Sequence, residues 1–301
     1  MKKMLTLMIA LAMTVTLAAC GSGEREASGD APAASDASSD DASDASANGT
    51  SEDASDAASS ADGSSADSDL EYVKSKGTLV VGITDFEPMD YKEESGEWIG
   101  FDADMAKAFA KSIGVEAEFV EIDWDNKILE LDGKTIDCVW NGMTLTDEVK
   151  SSMSCSNAYC NNAQIVIVPA DKADQYQDTD SLSGLTFAVE AGSAGEEQVS
   201  ALNLEYTSVK AQADALMEVA AGTSDAAVID SLMAAAMVGE GTSYDSLAYT
   251  IGLNSEEYGV GFRKGSDLTQ ALNDFFAASY ADGSMQQTAE TYKVQAALIE
   301  Q

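Results

Sequence analysis

Apolar strand-like runs alternate with helix-like segments twice along this chain, and this alternation is the feature that most constrains its fold. The first copy spans about residues 78–140 and the second about 185–230. The β-branched run at 78–83 predicts a buried strand, and the apolar spacing over 105–113 predicts an amphipathic helix. Such alternation is typical of parallel sheets covered by helices, so we predict an α/β protein.

Polar residues follow the predicted strands, where open α/β sheets bind ligands. The strand at 136–140 ends at Asn141-Gly142, and Thr144 or Thr146 is placed to cap the next helix. Unpaired N–H groups at such a helix start favour a small polar or anionic group.

The second copy repeats this arrangement. Gly192-Ser193-Ala194-Gly195 follows the strand at 185–189 and opens a helix, and Asp230 follows the strand at 225–229. Two such units facing one another would form a cleft that closes by hinge motion.

Residues 1–19 have the form of an export signal. Lys2 and Lys3 precede a short apolar run, and small residues precede Cys20. The pattern LAAC-G resembles a bacterial lipobox, so we expect Cys20 to be lipidated. Two or more acyl chains anchor a protein stably to a membrane.

Residues 21–69 are mostly Ala, Ser, Asp and Gly, with Arg25 as the only base among many acids. This composition buries too little apolar surface to fold, and its like charges extend the chain. We predict a disordered tether, followed by a folded part over 70–301.

The charge balance argues against nucleic acid as a partner. The chain has 53 acidic and 16 basic residues and a formal net charge of −37, whereas binding to phosphates requires a basic surface. Histidine is absent, which excludes Ser-His and Cys-His nucleophiles and His-ligated metal. No cofactor or metal is expected.

With Cys20 lipidated, Cys138, Cys155 and Cys160 remain, and these form at most one disulfide. Cys155 and Cys160 are near enough in sequence to pair. A bridge between them and buried free thiols both remain open.

Five segments in order resemble one family, the extracellular solute-binding proteins of ATP-driven importers for polar amino acids. Together they cover nearly all of 71–298. The segments are GITDFEP (82–88), GEWIGFDADMAKAFA (96–110), IDCVWNGMTLT (136–146), GVGFRKG (259–265) and YADGSMQQTAETY (280–292).

The resemblance implies a two-lobed periplasmic-binding-protein-like fold, with two open sheets joined by two crossing strands. Lobe 1 would contain 70–161 and 258–301, and lobe 2 would contain 162–257. The crossings would lie near Asn162 and near 254–257.

The resemblance also implies a ligand site in lobe 1. Phe86 stands where the family places an aromatic wall, and Trp124 stands where it places the opposing apolar face. Asn141, Gly142 and Thr144 match positions that hydrogen-bond the ligand's amino and carboxylate groups. Without the resemblance, both aromatic residues would be read as core.

In lobe 2, Ser193 and Ala194 match the helix start that receives the ligand's carboxylate. Asp230 matches the acid that pairs with the α-ammonium group. A helix cap is the alternative role for Asp230.

One departure concerns the arginine that usually clamps the α-carboxylate, because Val149 stands at its position. Lys150 is adjacent, but on a helix it would point about 100° away. Glu190, Asp230 and Asp85 add acids, which favours a ligand with net positive charge. A cationic amino acid and an amine without a carboxylate both remain open.

The sequence therefore predicts a monomeric, lipid-anchored receptor on the extracytoplasmic face of the cell membrane. It would capture an amino acid and deliver it to an ABC permease without performing chemistry. The alternative is an enzyme on the same fold, such as a dehydratase, with Glu190 or Asp230 as general acid.

Overall fold

A computed structural model describes residues 68–301, which lie within one compact unit. The predicted signal peptide, Cys20 and the tether up to residue 67 lie outside the described residues. No helix within 68–301 combines the length and apolar character needed to span a membrane.

Within residues 68–301 the first element begins at Asp69. Up to residue 162 the elements are α1 (Asp69–Lys76), β1 (Thr78–Ile83), β2 (Tyr91–Lys92), β3 (Trp98–Ile99), α2 (Phe101–Ser112), β4 (Glu116–Glu121), α3 (Lys127–Asp132), β5 (Cys138–Val139), α4 (Asp147–Ser152), β6 (Ser154–Cys155) and β7 (Cys160–Asn162).

The remaining elements are β8 (Gln164–Pro169), β9 (Thr186–Glu190), α5 (Ala194–Ala201), β10 (Glu205–Val209), α6 (Gln212–Ala221), β11 (Ala226–Asp230), α7 (Ser231–Met237), β12 (Leu247–Gly252), β13 (Glu256–Tyr258), β14 (Gly261–Phe262), α8 (Leu268–Asp282) and α9 (Ser284–Thr291). Short 3₁₀ turns lie at Trp124–Asn126, Ala170–Gln175 and Thr179–Leu182.

Two five-stranded sheets form two lobes. Lobe 1 contains the sheet with strand order β4-β1-β5-β14-β6, and lobe 2 contains the sheet with order β10-β9-β11-β8-β12. The antiparallel pair of β7 and β13 connects them. This arrangement confirms the predicted α/β class with two lobes and two crossing strands.

The alternation of strands and helices predicted parallel sheets, but both sheets are mixed. In lobe 1, β14 pairs antiparallel with β5 and β6, and in lobe 2, β8 pairs antiparallel with β11 and β12. Both β8 and β14 closely follow a crossing strand. They therefore enter their sheets without the long crossover connection that a parallel neighbour requires.

Two edge strands, β10 and β12, were not predicted. Four of the five residues of β10 are exposed and most are polar, so they carry no apolar pattern. The segment 256–262 is divided into β13 and β14, and α9 ends at Thr291.

The core of lobe 1 holds the site in position. Trp140 is 1 % exposed and directly precedes Asn141. Its ring packs against Phe109 and Phe276, with centroids 6.4 and 5.6 Å away. This packing fixes the end of the strand from which the Asn141-Gly142 turn begins.

Cys138, Cys155 and Cys160 are free thiols, and Cys155 and Cys160 are not bridged. Cys138 and Cys160 are buried, and burial raises the pKa of both thiols well above the usual value.

Replacing Trp140 by alanine should lower the free energy of unfolding by about 3–5 kcal/mol, because it leaves a large cavity in a packed core. Leu129→Ala is the control, since Leu129 is 70 % exposed and should change stability by less than about 0.5 kcal/mol. Urea unfolding followed by circular dichroism measures both. Equal effects of the two substitutions would contradict this role of Trp140.

Candidate functional site

A cavity lies between the lobes, at the carboxyl ends of β9 and β11 in lobe 2 and beside the loops that follow β1 and β5 in lobe 1. Its lining is Phe86, Trp124, Lys127, Asn141, Gly142, Met143, Thr144, Thr146, Glu148, Val149, Glu190, Gly192, Ser193, Ala194, Glu197, Gln212 and Asp230. The structure therefore brings together every predicted site residue except Asp85.

Asp85 lies elsewhere because it is exposed while its neighbour Phe86 points into the protein. It lines a separate surface pocket together with Glu121, Lys210 and Asp214. The structure thus does not support the prediction that Asp85 faces the ligand site.

Phe86 forms one wall of the cavity and requires glycine at position 142. The Phe86 ring is 2 % exposed and packs edge-on against Tyr258, with centroids 6.3 Å apart. A Cβ atom on Gly142 would lie 2.5 Å from Phe86 Cε1, and Gly142 has a φ of +56°. Only glycine allows this turn and this ring to touch.

The N–H group of Gly142 is already bound within lobe 1. It donates to Asp102 Oδ2 at 2.7 Å, and Tyr159 Oη donates to the same oxygen at 2.6 Å. Asp102 lies in the first turn of α2, whose N-cap is Gly100, and is buried beneath the turn at Gly142. The turn is thereby rigid, and this N–H is not free for a ligand.

Asn141 likewise uses its side chain inside lobe 1. Its Oδ1 accepts from the N–H and the hydroxyl of Thr84 at 2.9 and 2.8 Å, and its Nδ2 donates to Thr84 O and Asp90 Oδ2 at 3.0 and 2.8 Å. These four bonds fill the capacity of a carboxamide. Asn141 therefore ties the loop after β1 to the loop after β5.

Of the two threonines, Thr146 caps α4, since its hydroxyl accepts from Val149 N–H at 3.2 Å. Thr144 instead donates its hydroxyl to Glu256 Oε1 at 2.8 Å. Val149 itself lines the cavity.

In lobe 2, Ser193 is the N-cap of α5, and its hydroxyl accepts from Glu196 N–H at 3.1 Å. Ser193 and Ala194 both line the cavity. The first N–H groups of a helix have no acceptor within it, so the start of α5 favours an anionic group in the cavity.

Asp230 lies at the end of β11 and is 4 % exposed. Its carboxylate accepts from Gln164 at 2.9 Å, from the Tyr258 hydroxyl at 2.8 Å, and from Asn162 and Gln212. It makes no capping bond to α7. The geometry therefore excludes the alternative role of Asp230 as a helix cap.

Glu190, at the end of β9, is buried with fewer hydrogen bonds to its carboxylate than Asp230 has. It is 2 % exposed, and its Oε1 has no hydrogen-bond partner among the described residues. Burial and the nearby Asp230 raise the pKa of Glu190 to about 8, against the opposing effects of Lys127 and of the polar side chains of Thr84 and Gln212. Burial and Glu256 raise the pKa of Asp230 to about 7.

Glu256, which sequence reasoning missed, joins the crossing strands to both lobes. Its carboxylate accepts from Thr144, Asn162, Gln164 and Asn254 at 2.7–2.8 Å. The sole feature of the sequence that could have pointed to Glu256 was its position within the predicted crossing at 254–257.

Lys127 is the second residue that sequence reasoning missed. It begins α3, is 6 % exposed, and donates from Nζ to Gly192 O at 2.8 Å and to Trp124 O at 3.3 Å. Its Nζ lies 5.0 Å from the centroid of the Trp124 ring. A lysine in a short amphipathic helix gives no sign that it is buried, so the sequence pattern offered no way to find it.

The lobes touch at the rim of the cavity. A Cβ atom on Gly192, whose φ is +69°, would lie 2.7 Å from Asp125 Cα in lobe 1. Lys210 Nζ lies 3.8 Å from Glu121 and 3.6 Å from Asp123 across the same gap. The structure therefore describes the lobes in a closed arrangement.

Comparison with known proteins identifies the family. Residues 79–295 match the family model described as bacterial extracellular solute-binding proteins, family 3. The chain is 31 % identical to the L-cystine-binding protein TcyJ of Escherichia coli K12 over 229 residues, which cover 74 % of this chain and 85 % of that protein.

Two further relatives agree. The arginine-binding extracellular protein ArtP of Bacillus subtilis is 33 % identical over 219 residues, covering 69 % of this chain and 82 % of that protein. The crystal structure of a mutant of ArgBP from T. maritima matches with a TM-score of 0.69 and 31 % identity, covering 74 % of this chain and 98 % of that one. These relatives are binding proteins rather than enzymes. The chain belongs to family 3 of the bacterial extracellular solute-binding proteins.

Proposed function

We propose that this protein is the substrate-binding component of an ABC importer and that it captures a positively charged amino acid between its lobes. The observation that carries this proposal is a buried carboxylate oxygen of Glu190, which has no hydrogen-bond partner within residues 68–301 and lies with Asp230 in a cavity between the two lobes. A cationic ligand is the partner that this arrangement lacks.

The energetic reason is the burial of two acids. An ionised carboxyl that is removed from water without a partner is costly, and its pKa rises as a result. Glu190 and Asp230 both have raised pKa values and repel each other. An ammonium group bound between them would offset this repulsion, and its attraction to the two carboxylates would stabilise the complex.

The aromatic walls support the same class of ligand. Phe86 and Trp124 both line the cavity. Aromatic faces pack against aliphatic stems and attract cations through the ring quadrupole.

Two classes of cationic ligand were left open by the sequence. The start of α5 at Ser193 and Ala194 favours an amino acid, because its N–H groups attract a carboxylate. Val149 favours an amine, because it offers no charge to a carboxylate. The relatives that bind cystine and arginine support the amino acid.

Capture would proceed by population shift, since a ligand that contacts both lobes favours the closed state. Delivery to a permease and anchoring through a lipid on Cys20 belong to this proposal and are supported by the sequence pattern LAAC-G. Both predictions concern parts of the system outside residues 68–301.

A thermal-shift screen of the purified protein tests the class of ligand. We expect L-arginine or L-lysine to raise the melting temperature, and L-glutamate and L-aspartate to leave it unchanged, because four acids and a single base from the described part of the chain line the cavity. An acidic amino acid as the best stabiliser would overturn the proposed preference.

Asp230→Asn should weaken binding of the best ligand by about 10-fold to 150-fold, since the loss of a charged hydrogen-bond partner costs about 1.5–3 kcal/mol. Asp85→Asn is the matched control, because Asp85 lies outside the cavity, and it should leave the affinity unchanged. Isothermal calorimetry measures both. The role of Asp230 is refuted if the two variants bind equally well.

Binding should release protons below pH 8. Glu190, with its pKa raised to about 8, is protonated in the ligand-free cavity at lower pH, and a cation favours its charged form. The affinity should therefore rise from pH 6 to 8 and level off above. Calorimetry in two buffers of different ionisation enthalpy counts the protons.

Glu190→Gln should release fewer protons and bind with a weaker pH dependence, whereas Glu94→Gln, in the exposed β2–β3 loop, should behave as wild type. Unchanged proton release in Glu190→Gln would show that Glu190 does not face the ligand.

A further inference from the structure

We propose that Lys127 binds the carboxylate of the ligand and thereby makes the cavity selective for amino acids over the corresponding amines. This inference rests on the proposed function, and it assigns a role to a residue that the sequence did not single out. Within residues 68–301, Lys127 is the sole basic side chain that lines the cavity.

Lys127 retains hydrogen-bonding capacity. A lysine ammonium group has three N–H donors, and two of them go to the backbone oxygens of Gly192 and Trp124. The third donor is available to a group in the cavity.

The charge of Lys127 also lacks a close counterion. Within the described part of the chain, none of its ion pairs at 4 Å or less involves Lys127. Burial lowers the pKa of Lys127, while Glu148, Glu190, Glu197 and Asp125 act in the opposite direction from farther away. A buried ammonium group without a paired anion is costly, and a ligand carboxylate would supply that anion.

The position of the ammonium group identifies the end of the ligand that it would meet. Its acceptor Gly192 directly precedes Ser193, the N-cap of α5. Lys127 and the first N–H groups of α5 therefore lie side by side and both attract negative charge. The acids Glu190 and Asp230 supply the opposite sign within the same cavity, so the charges together fit a zwitterion.

Lys127 also connects the ligand to closure. It belongs to lobe 1 and its acceptor Gly192 belongs to lobe 2, so one side chain would hold the carboxylate and bridge the lobes. If Lys127 acted in closure alone, its removal would weaken the binding of all ligands equally. If it binds the carboxylate, its removal would weaken most the binding of ligands that contain a carboxylate. This difference gives the test.

The test compares amino acids with their decarboxylated forms: L-arginine with agmatine, L-histidine with histamine, and L-cystine with cystamine. Calorimetry on wild type and Lys127→Met measures each pair. Lys127→Met should weaken binding of the amino acid by about 10-fold to 100-fold more than it weakens binding of the amine. The bonds to Gly192 and Trp124 are lost for both ligands, whereas the charged hydrogen bond to the carboxylate is lost only for the amino acid.

Two further variants keep the test independent of folding. Lys127→Gln retains N–H donors without charge and should lose the same discrimination, whereas Lys127→Arg should keep it. Lys210→Met is the matched control, because Lys210 also bridges the lobes but lies outside the cavity, and its amino acid to amine ratio should equal that of wild type.

The outcomes separate the two proposals. Wild type that binds an amine as tightly as its amino acid, or Lys127 variants that weaken both equally, would overturn the role of Lys127 and leave the capture of ammonium-bearing ligands intact. Wild type that binds neither member of any pair would overturn both.

Discussion

The burial of Glu190 and Asp230 at the strand ends of lobe 2 is the constraint on which the cavity depends. Asp230 is supported by four donors from β7, β8, α6 and β13, whereas Glu190 keeps an oxygen without a partner among the described residues. Protein interiors rarely leave a carboxyl in that state, because each unpaired buried group costs free energy. The unpartnered oxygen of Glu190, close to the hydrogen-bonded carboxylate of Asp230, therefore favours the binding of a cation.

The same hydrogen-bond network joins ligand binding to the hinge. Asn162 and Gln164 donate to Asp230 and also to Glu256, which lies on the second crossing strand. Glu256 in turn accepts from Thr144 in lobe 1. A change in charge at Asp230 therefore acts directly on the strands that connect the lobes. In the proposed function, capture of the ligand and closure of the lobes would therefore share these donors.

Much of the fold could be predicted from apolar patterns, because β1, β8 and β9 are buried runs with clear boundaries. The edge strand β10 could not, since an exposed strand carries polar residues and leaves no period to detect. The cavity walls followed from the family resemblance. The roles of Asp102 and Lys127 could not be predicted. Asp102 bonds a residue 40 positions away and Lys127 bonds one 65 positions away. Sequence spacing alone carries no information about such long-range contacts.

We propose that a cationic amino acid is held between the lobes by acids at one end and by Lys127 with the start of α5 at the other. A crystal structure of the protein with its best-binding amino acid tests this proposal. We expect the ligand between Phe86 and Trp124, with its ammonium group against Glu190 or Asp230 and its carboxylate beside Lys127. A ligand bound outside this cavity, or bound with its carboxylate towards the two acids, would contradict it.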